Sequence, residues 1–350
     1  MSKCDKIVRI LEERIVRGEY LTRIFPAERE LAQEMNVSRM TARKAVLTLL
    51  EKGLLERLPN GRIRSRPIDA EGKPRRHAAF LLPAGLSPDH QIWEQAILRA
   101  AKDYGIGIHP YVYDHPSAML LQEIVESFDG VFILAETFMG KERYLRDSAK
   151  PVFVLGNDLS RFGIVSIQLF PAGCGTILFD YLYRLGHREI AFLCTGEAYD
   201  DVLNQRIRDW QNWMAEHPDC SGRLIQRHTE WHTDRAQQSF AAMSELLAAG
   251  SHQESALVCG TVWMAMGAIK ALRSHHLDVP QDVAVCTFNG EGIGQWFNPS
   301  ITSLEMADPT PVLKRCMEII CSGGNWTGPL LCSAGEPHLF EGESTQHSGS

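Results

Sequence analysis

The sequence predicts a small α+β domain at the N-terminus, followed by an α/β body of two doubly wound parallel-sheet lobes. Three observations carry this. Two short helical patterns, the second capped by a serine, fall before residue 52. From residue 77 onward, short apolar runs alternate with amphipathic helical stretches, the pattern of parallel strands covered on both faces. Charge divides at the same place: residues 1–76 hold 18 Lys and Arg against 11 Asp and Glu, while 77–350 hold 18 against 32. A basic head on an acidic body fits one part that meets a polyanion and one that does not.

Length and composition set the frame. At 350 residues the chain has room for two or three domains, and its 44% hydrophobic and 23% charged residues are ordinary for a globular protein. No run of about 18 apolar residues is present. The start, Met1-Ser2-Lys3-Cys4-Asp5-Lys6, lacks the apolar stretch and cleavage site of a signal peptide, so a cytoplasmic location is expected. The nine cysteines show no Cys-x-x-Cys and mostly sit in apolar runs (Cys194, Cys259, Cys286, Cys316), which predicts free thiols.

In the head, Ile7, Leu11 and Ile15 recur at helical spacing with Val8 and Val16 on the flank, predicting a helix over 4–17 that ends at Gly18. Pro26 opens a second helix over 27–35 with Leu31 and Ala32 inward. Ser38 caps a third, with Val37 placed to staple against Ala42. That helix turns Ala42, Val46, Leu49 and Leu50 inward, leaves Arg39, Thr41, Arg43 and Lys44 outside, and stops at Gly53. A tight pair whose second helix carries three cations in its first two turns is built to set a helix N-terminus into the major groove of DNA. Leu54–Arg57 and Arg62–Arg64 then flank Pro59-Asn60-Gly61, a hairpin signal. Arg62 and Arg64 alternate onto one face of this basic wing, where they can reach phosphates.

Residues 1–66 therefore form the first domain and 67–76, with two prolines and mixed charges, a linker. The body over 77–345 reads as strand 78–82, helix 90–103, strand 106–113, helix 117–127, strands 130–134 and 151–155, and helix 172–185. The alternation continues with strand 190–193, helices 201–216 and 234–249, strand 256–258, helix 262–274 and strand 283–285. The expected lobes are about 77–185 with 300–322, and about 186–299 with 323–345; a disordered tail, 346–350, follows.

No site for chemistry stands out. There is no Walker loop, Gly105-Ile106-Gly107 is a turn, and Gly290-Glu291-Gly292-Ile293-Gly294 lacks a following helix. His228-x3-His232 and His217-x2-Cys220 have ligand-like spacing, but nothing completes a zinc pattern, so no metal and no cofactor are expected.

Two resemblances emerge from these residues. Residues 7–64 resemble the winged-helix domain of the GntR family of bacterial transcription regulators, through Ile-x3-Leu-x3-Ile-x2-Gly-x-Tyr, Pro-Ala-Glu-Arg-Glu-Leu-Ala, Val-Ser-Arg-x-Thr-x-Arg-x-Ala and Leu-x2-Gly-Leu-Leu. The resemblance implies DNA contacts from Arg29, Ser38, Arg39, Met40, Thr41, Arg43 and Lys44, and from Asn60, Gly61 and Arg62 of the wing. Met40 stands where that family usually has threonine, and the wing departs from its Gly-x-Gly pattern. Leu185-Gly186-His187-Arg188-Glu189-Ile190-Ala191, Val279-Pro280-Gln281-Asp282-Val283-Ala284-Val285 and Pro299-Ser300-Ile301-Thr302-Ser303-Leu304 resemble signatures of LacI/GalR-type effector domains, which are type I periplasmic-binding-protein-like. Glu343-Ser344-Thr345 falls where their final strand ends. The combination is similar to arabinose-repressor-type regulators.

The resemblance implies a homodimeric repressor that binds an inverted-repeat operator in double-stranded DNA, and whose cleft binds a small-molecule effector, a sugar or sugar-like metabolite. It assigns that pocket to Phe170, Arg206, Trp231, Thr261 and Asn289. Phe170-Pro171 and Thr261-Val262 replace Asp-Asn and Asn-Asp pairs, and Asn289 replaces an aspartate. Fewer carboxylates mean fewer acceptors for sugar hydroxyls, which leaves a more apolar or anionic ligand, or a vestigial pocket in a ligand-blind regulator, as alternatives. GntR chimeras with enzyme bodies need a Schiff-base lysine; Lys270 and Lys314 lie in helical patterns, and no enzyme is expected.

Overall fold

The computed structural model describes the chain apart from residues 1–2, 17–18, 21–24, 59–60, 67–74, 85–87, 114–117, 135–141, 197, 199, 230–232 and 347–350. The expected helix end at Gly18, most of the linker and most of the tail lie outside the described residues.

The head consists of α1 (Lys3–Val16), α2 (Glu28–Glu34), α3 (Arg39–Glu51) and a hairpin of β1 (Leu55–Arg57) and β2 (Ile63–Ser65). Ile7, Leu11 and Ile15 of α1 meet Leu31 of α2 and Ala42, Val46 and Leu49 of α3 in one core, closed by Tyr20, Phe25 and Leu55. Gly53, at φ 70°, ends α3: its N–H donates to Leu50 O and that of Leu54 to Leu49 O, both at 3.0 Å. This is the left-handed cap that glycine adopts without a Cβ penalty.

The body has two six-stranded sheets. The first contains β3 (His77–Pro83), β4 (Gly107–Tyr113), β5 (Gly130–Leu134), β6 (Val152–Leu155), β7 (Val165–Gln168) and β13 (Leu331–Ser333), in the order β13-β7-β6-β5-β3-β4, all parallel. Alternate residues feed opposite faces. Phe80, Phe132 and Phe153 pack with Trp93 of α4 (Pro88–Tyr104) and Leu313 of α11 (Thr310–Ser322). Leu81, Ile133 and Val154 pack with Leu121 of α5 (Ala118–Ser127) and Leu145 of α6 (Glu142–Arg146).

The second sheet contains β8 (Ile190–Gly196), β9 (Leu224–His228), β10 (Ala256–Cys259), β11 (Ala284–Phe288), β12 (Thr302–Glu305) and β14 (His338–Phe340), ordered β14-β12-β11-β10-β8-β9. Only β14 runs antiparallel within it. Its helices are α7 (Thr176–Arg184), α8 (Asp201–Glu216), α9 (Arg235–Ala248) and α10 (Val262–Ser274). Gly267 lets α9 and α10 meet closely, since a Cβ there would lie 2.1 Å from the Ala236 carbonyl oxygen. All nine cysteines are free thiols, and burial pushes several up, Cys174 to about 12.

Two parallel-sheet lobes after a helical head match the expected fold class. The lobe boundaries differ in three places. Helix α7, expected in the first lobe, buries Leu178, Phe179 and Leu182 in the second core. Strand β12, also expected in the first, pairs with β11 in the second sheet, Cys286 facing Thr302. Strand β13, expected in the second, is the edge of the first sheet beside β7. The chain thus passes between lobes after β7, after β12 and after β13. Strands β7, β9, β12, β13 and β14 and helices α6 and α11 were not anticipated as elements.

Candidate nucleic-acid interface and interlobe cleft

In the head, α2 opens at Ala27, whose N–H donates to Glu30 Oε2 at 2.9 Å. The turn into α3 is held by Val37 N–H donating to Ala32 O at 3.0 Å, with Asn36 at φ 50°. Ser38 then caps α3: its Oγ accepts from Thr41 N–H at 3.2 Å and lies 2.8 Å from the Thr41 hydroxyl. Arg29, Ser38, Arg39, Arg43 and Lys44 are exposed, Thr41 is half-buried, and Met40 is 72% exposed. Glu28 approaches Arg39 Nε at 3.7 Å and Arg43 Nε at 3.9 Å, surface pairs of little energetic weight. They leave both guanidinium groups at the exposed entrance of the helix, beside its positive dipole end.

In the wing, Gly61 is exposed at φ 82° and donates to Leu58 O at 2.9 Å, while Leu58 N–H donates to Arg62 O at 2.8 Å. Asn60 lies outside the described residues. Arg62 is exposed, with Nη1 3.9 Å from Glu123 of α5. Arg64 corrects an expectation. Instead of facing phosphates beside Arg62, its half-buried side chain pairs with Glu56, donates to the Ser127 carbonyl and lies 3.5 Å from Asp129. The acidic end of α5 draws it inward, against the alternation seen in sequence.

Asp129 is the joint between head and body. It accepts from His77 N–H at 2.9 Å and has Arg76 at 3.8 Å. Beside it, His77 Nδ1 and His109 Nε2 lie 2.8 Å apart. Burial, followed by the neighbouring His109, lowers His77 to about 4, and burial also lowers His109.

Between the lobes, Phe170 packs against both cores. Arg206, on α8 and 5% exposed, sets its guanidinium carbon 5.3 Å from the Phe170 ring centre and 5.1 Å from that of Phe288, and donates from Nη1 to Gly260 O at 2.5 Å. Thr261 caps α10, its hydroxyl accepting from Met264 N–H at 3.4 Å. Asn289 is buried at φ 56°, and its Oδ1 accepts from Glu291 N–H at 3.1 Å. Phe170 and Arg206 are thus in contact, and residues adjoining Thr261 and Asn289 touch Arg206. Trp231 lies outside the described residues, as does His232 of the histidine spacing.

The sequence did not single out Phe288, Asp209, His90 or Arg235. Asp209 accepts from Gly173 N–H at 3.0 Å and Gln205 Nε2 at 2.8 Å, holding the loop after Phe170. His90 of α4 is lowered to about 4 by burial and then by the charge of Arg235 on α9. No spacing in the sequence links residues so far apart.

Residues 3–64 match the model of the bacterial regulatory proteins of the gntR family, and residues 179–310 match the periplasmic binding protein-like domain. Similar proteins include the HTH-type transcriptional regulator AscG of Escherichia coli, 29% identical over 43% of this chain and 44% of that protein. The probable HTH-type transcriptional repressor ExuR of Bacillus subtilis is 22% identical over 51% of this chain and 53% of its own length. The chain spans about half the length of these two relatives. Among solved structures, the lac repressor dimer bound to operator and the anti-inducer ONPF superposes with a TM-score of 0.64 at 17% identity, covering 79% of this chain and 96% of that one. The regulator CcpA of Lactococcus lactis gives 0.63 at 18%, covering 78% and 100%. These structural likenesses concern the fold. The chain joins a domain that matches the gntR-family model to a body that matches the periplasmic binding protein-like domain over residues 179–310.

Proposed function

We propose that the chain is a sequence-specific DNA-binding transcription regulator, a repressor, whose affinity for DNA is set by a small molecule held between its lobes. The observation that carries this reading is the entrance of α3: a serine-capped N-terminus with Arg39, Met40, Arg43 and Lys44 outward on a basic head. Such a helix end reads base edges in the major groove while neighbouring cations meet phosphates. Arg29, Ser38, Thr41 and the wing residues Asn60, Gly61 and Arg62 complete the proposed surface. AscG and ExuR, named as HTH-type regulators, support the assignment.

One head offers too few contacts for tight specific binding, so a homodimer on an inverted repeat is the proposed working unit. Trp296, 81% exposed, adjoins a groove of about 450 Å³ lined by Met266, Ile269, Phe297 and Pro299 with Lys270 and Arg273, a surface suited to a second copy. The effector site is assigned to Phe170, Arg206, Trp231, Thr261 and Asn289, and the place of action to the cytoplasm. An effector changes DNA affinity only by preferring one body arrangement, typically by about 1–3 kcal/mol.

Repeated selection of random-sequence DNA by the purified chain tests the reading. An enriched inverted repeat is expected; no enrichment over input would sink it.

A further inference from the structure

The cleft holds a cation with no carboxylate partner among the described residues. Arg206 is 5% exposed, and its one polar contact among the described residues is Nη1 to the Gly260 carbonyl at 2.5 Å. Two aromatic faces, Phe170 and Phe288, flank the guanidinium, and its buried Nε meets no acceptor among the described residues. No carboxylate oxygen of the described residues lies within 4.0 Å of it. Asp209, one helical turn on, spends its oxygens on Gly173 N–H, Gly175 N–H and Gln205. Asp200 is paired with Arg235 at 3.3 Å. A buried ion is costly unless paired, and a guanidinium is the group best shaped to take a carboxylate or phosphate through two parallel hydrogen bonds.

The surroundings favour the same charge. Gly260, which receives Arg206, lies just before Thr261, the N-cap of the 13-residue helix α10, whose N-terminal dipole end favours an anion. In its first turn, Trp263 Nε1 is a second buried donor without an acceptor among the described residues. Phe170, in contact with the cores of both lobes, gives the cleft an aromatic floor beside Arg206. An unmet guanidinium donor beside an aromatic face suits an anion with a flat or apolar body better than a neutral polyol, whose hydroxyls ask for acceptors as well.

We propose that the interlobe cleft takes an organic anion, its carboxylate or phosphate set against Arg206 and its less polar body against Phe170. This rests on the reading of the cleft as the effector site. A ligand of this kind touches both lobes, since Phe170 belongs to both, and so can bias how they close.

Matched pairs that differ in charge test it on the full chain: glucuronate against glucose, benzoate against benzamide, and glucose 6-phosphate against glucose, at constant ionic strength. Thermal shift and calorimetry are the readouts. The charged member of at least one pair should bind at least about tenfold more tightly than its neutral partner, and the pair that responds identifies carboxylate or phosphate as the head group. Arg206→Gln should abolish the difference and Arg206→Lys should retain part of it, with far-ultraviolet circular dichroism confirming that both variants fold. Equal binding of charged and neutral members, unchanged charge preference in Arg206→Gln, or no binding by any charged member at about 10 mM would each overturn the proposal. DNA selection on the same preparations keeps the two readings apart. Selection of DNA without anion binding removes only the anion, and anion binding without DNA selection removes only the regulator.

Discussion

The guanidinium of Arg64 in the wing lies 3.5 Å from the carboxylate of Asp129 in the body, which also accepts from the His77 backbone at 2.9 Å. One carboxylate therefore ties the wing to the first strand of the first lobe. This makes Arg64 a residue of the joint, distinct in role from the exposed cations of α3.

Arg64→Ala should accordingly destabilise the chain by about 1–3 kcal/mol, because it leaves half-buried Asp129 and Glu56 short of a partner. Denaturant unfolding measures that. The salt dependence of DNA binding should hardly move. A slope reduced by about one, as loss of a phosphate contact gives, would return Arg64 to the DNA surface.

Gly267→Ala tests the packing of α9 on α10. The added Cβ would sit 2.1 Å from the Ala236 carbonyl oxygen, backbone that cannot swing aside. Overpacking of this kind typically costs about 1–3 kcal/mol, read as a lower melting temperature. An unchanged melting temperature would mean that the two helices do not approach so closely.

Stability should fall on acidification from about pH 6.5 towards pH 4. His77 and His90 are both lowered to about 4 by burial, and then respectively by His109 and Arg235. The unfolded chain takes up protons near the ordinary histidine value of about 6.5 while the folded chain does not. Their contribution is thus complete above that value and is lost down to the folded pKa. Unfolding midpoints across pH 4–7 measure the loss, and His77→Asn with His90→Gln should flatten it. A profile equally steep in the double variant would place its origin elsewhere.

Local patterns and long-range partners divide what the sequence showed from what it hid. Ile7, Leu11 and Ile15, the Ser38 cap and Gly53 follow rules that act within one or two turns, so the head was legible element by element. Arg64 meets Ser127 and Asp129 more than sixty positions away, and alternation along a three-residue strand could not foresee them. The amphipathic face of α7 was legible, but amphipathicity does not say which sheet it covers. Strands β7, β12 and β13, of 3–4 residues each, carry too short a pattern to stand out. In the cleft, resemblance singled out Arg206, while its acceptor is a backbone carbonyl 54 positions on that no side-chain pattern marks.

The most direct test is a salt titration of affinity for the selected DNA, comparing the natural chain with Arg39→Ala and Arg43→Ala. Both side chains are exposed and lie outside the core, so the fold should persist. Each substitution should weaken binding, and one that removes a phosphate contact should lower the slope of log affinity against log salt by about one. Affinity and slope unchanged in both variants would contradict the assignment of the α3 entrance as the DNA reader.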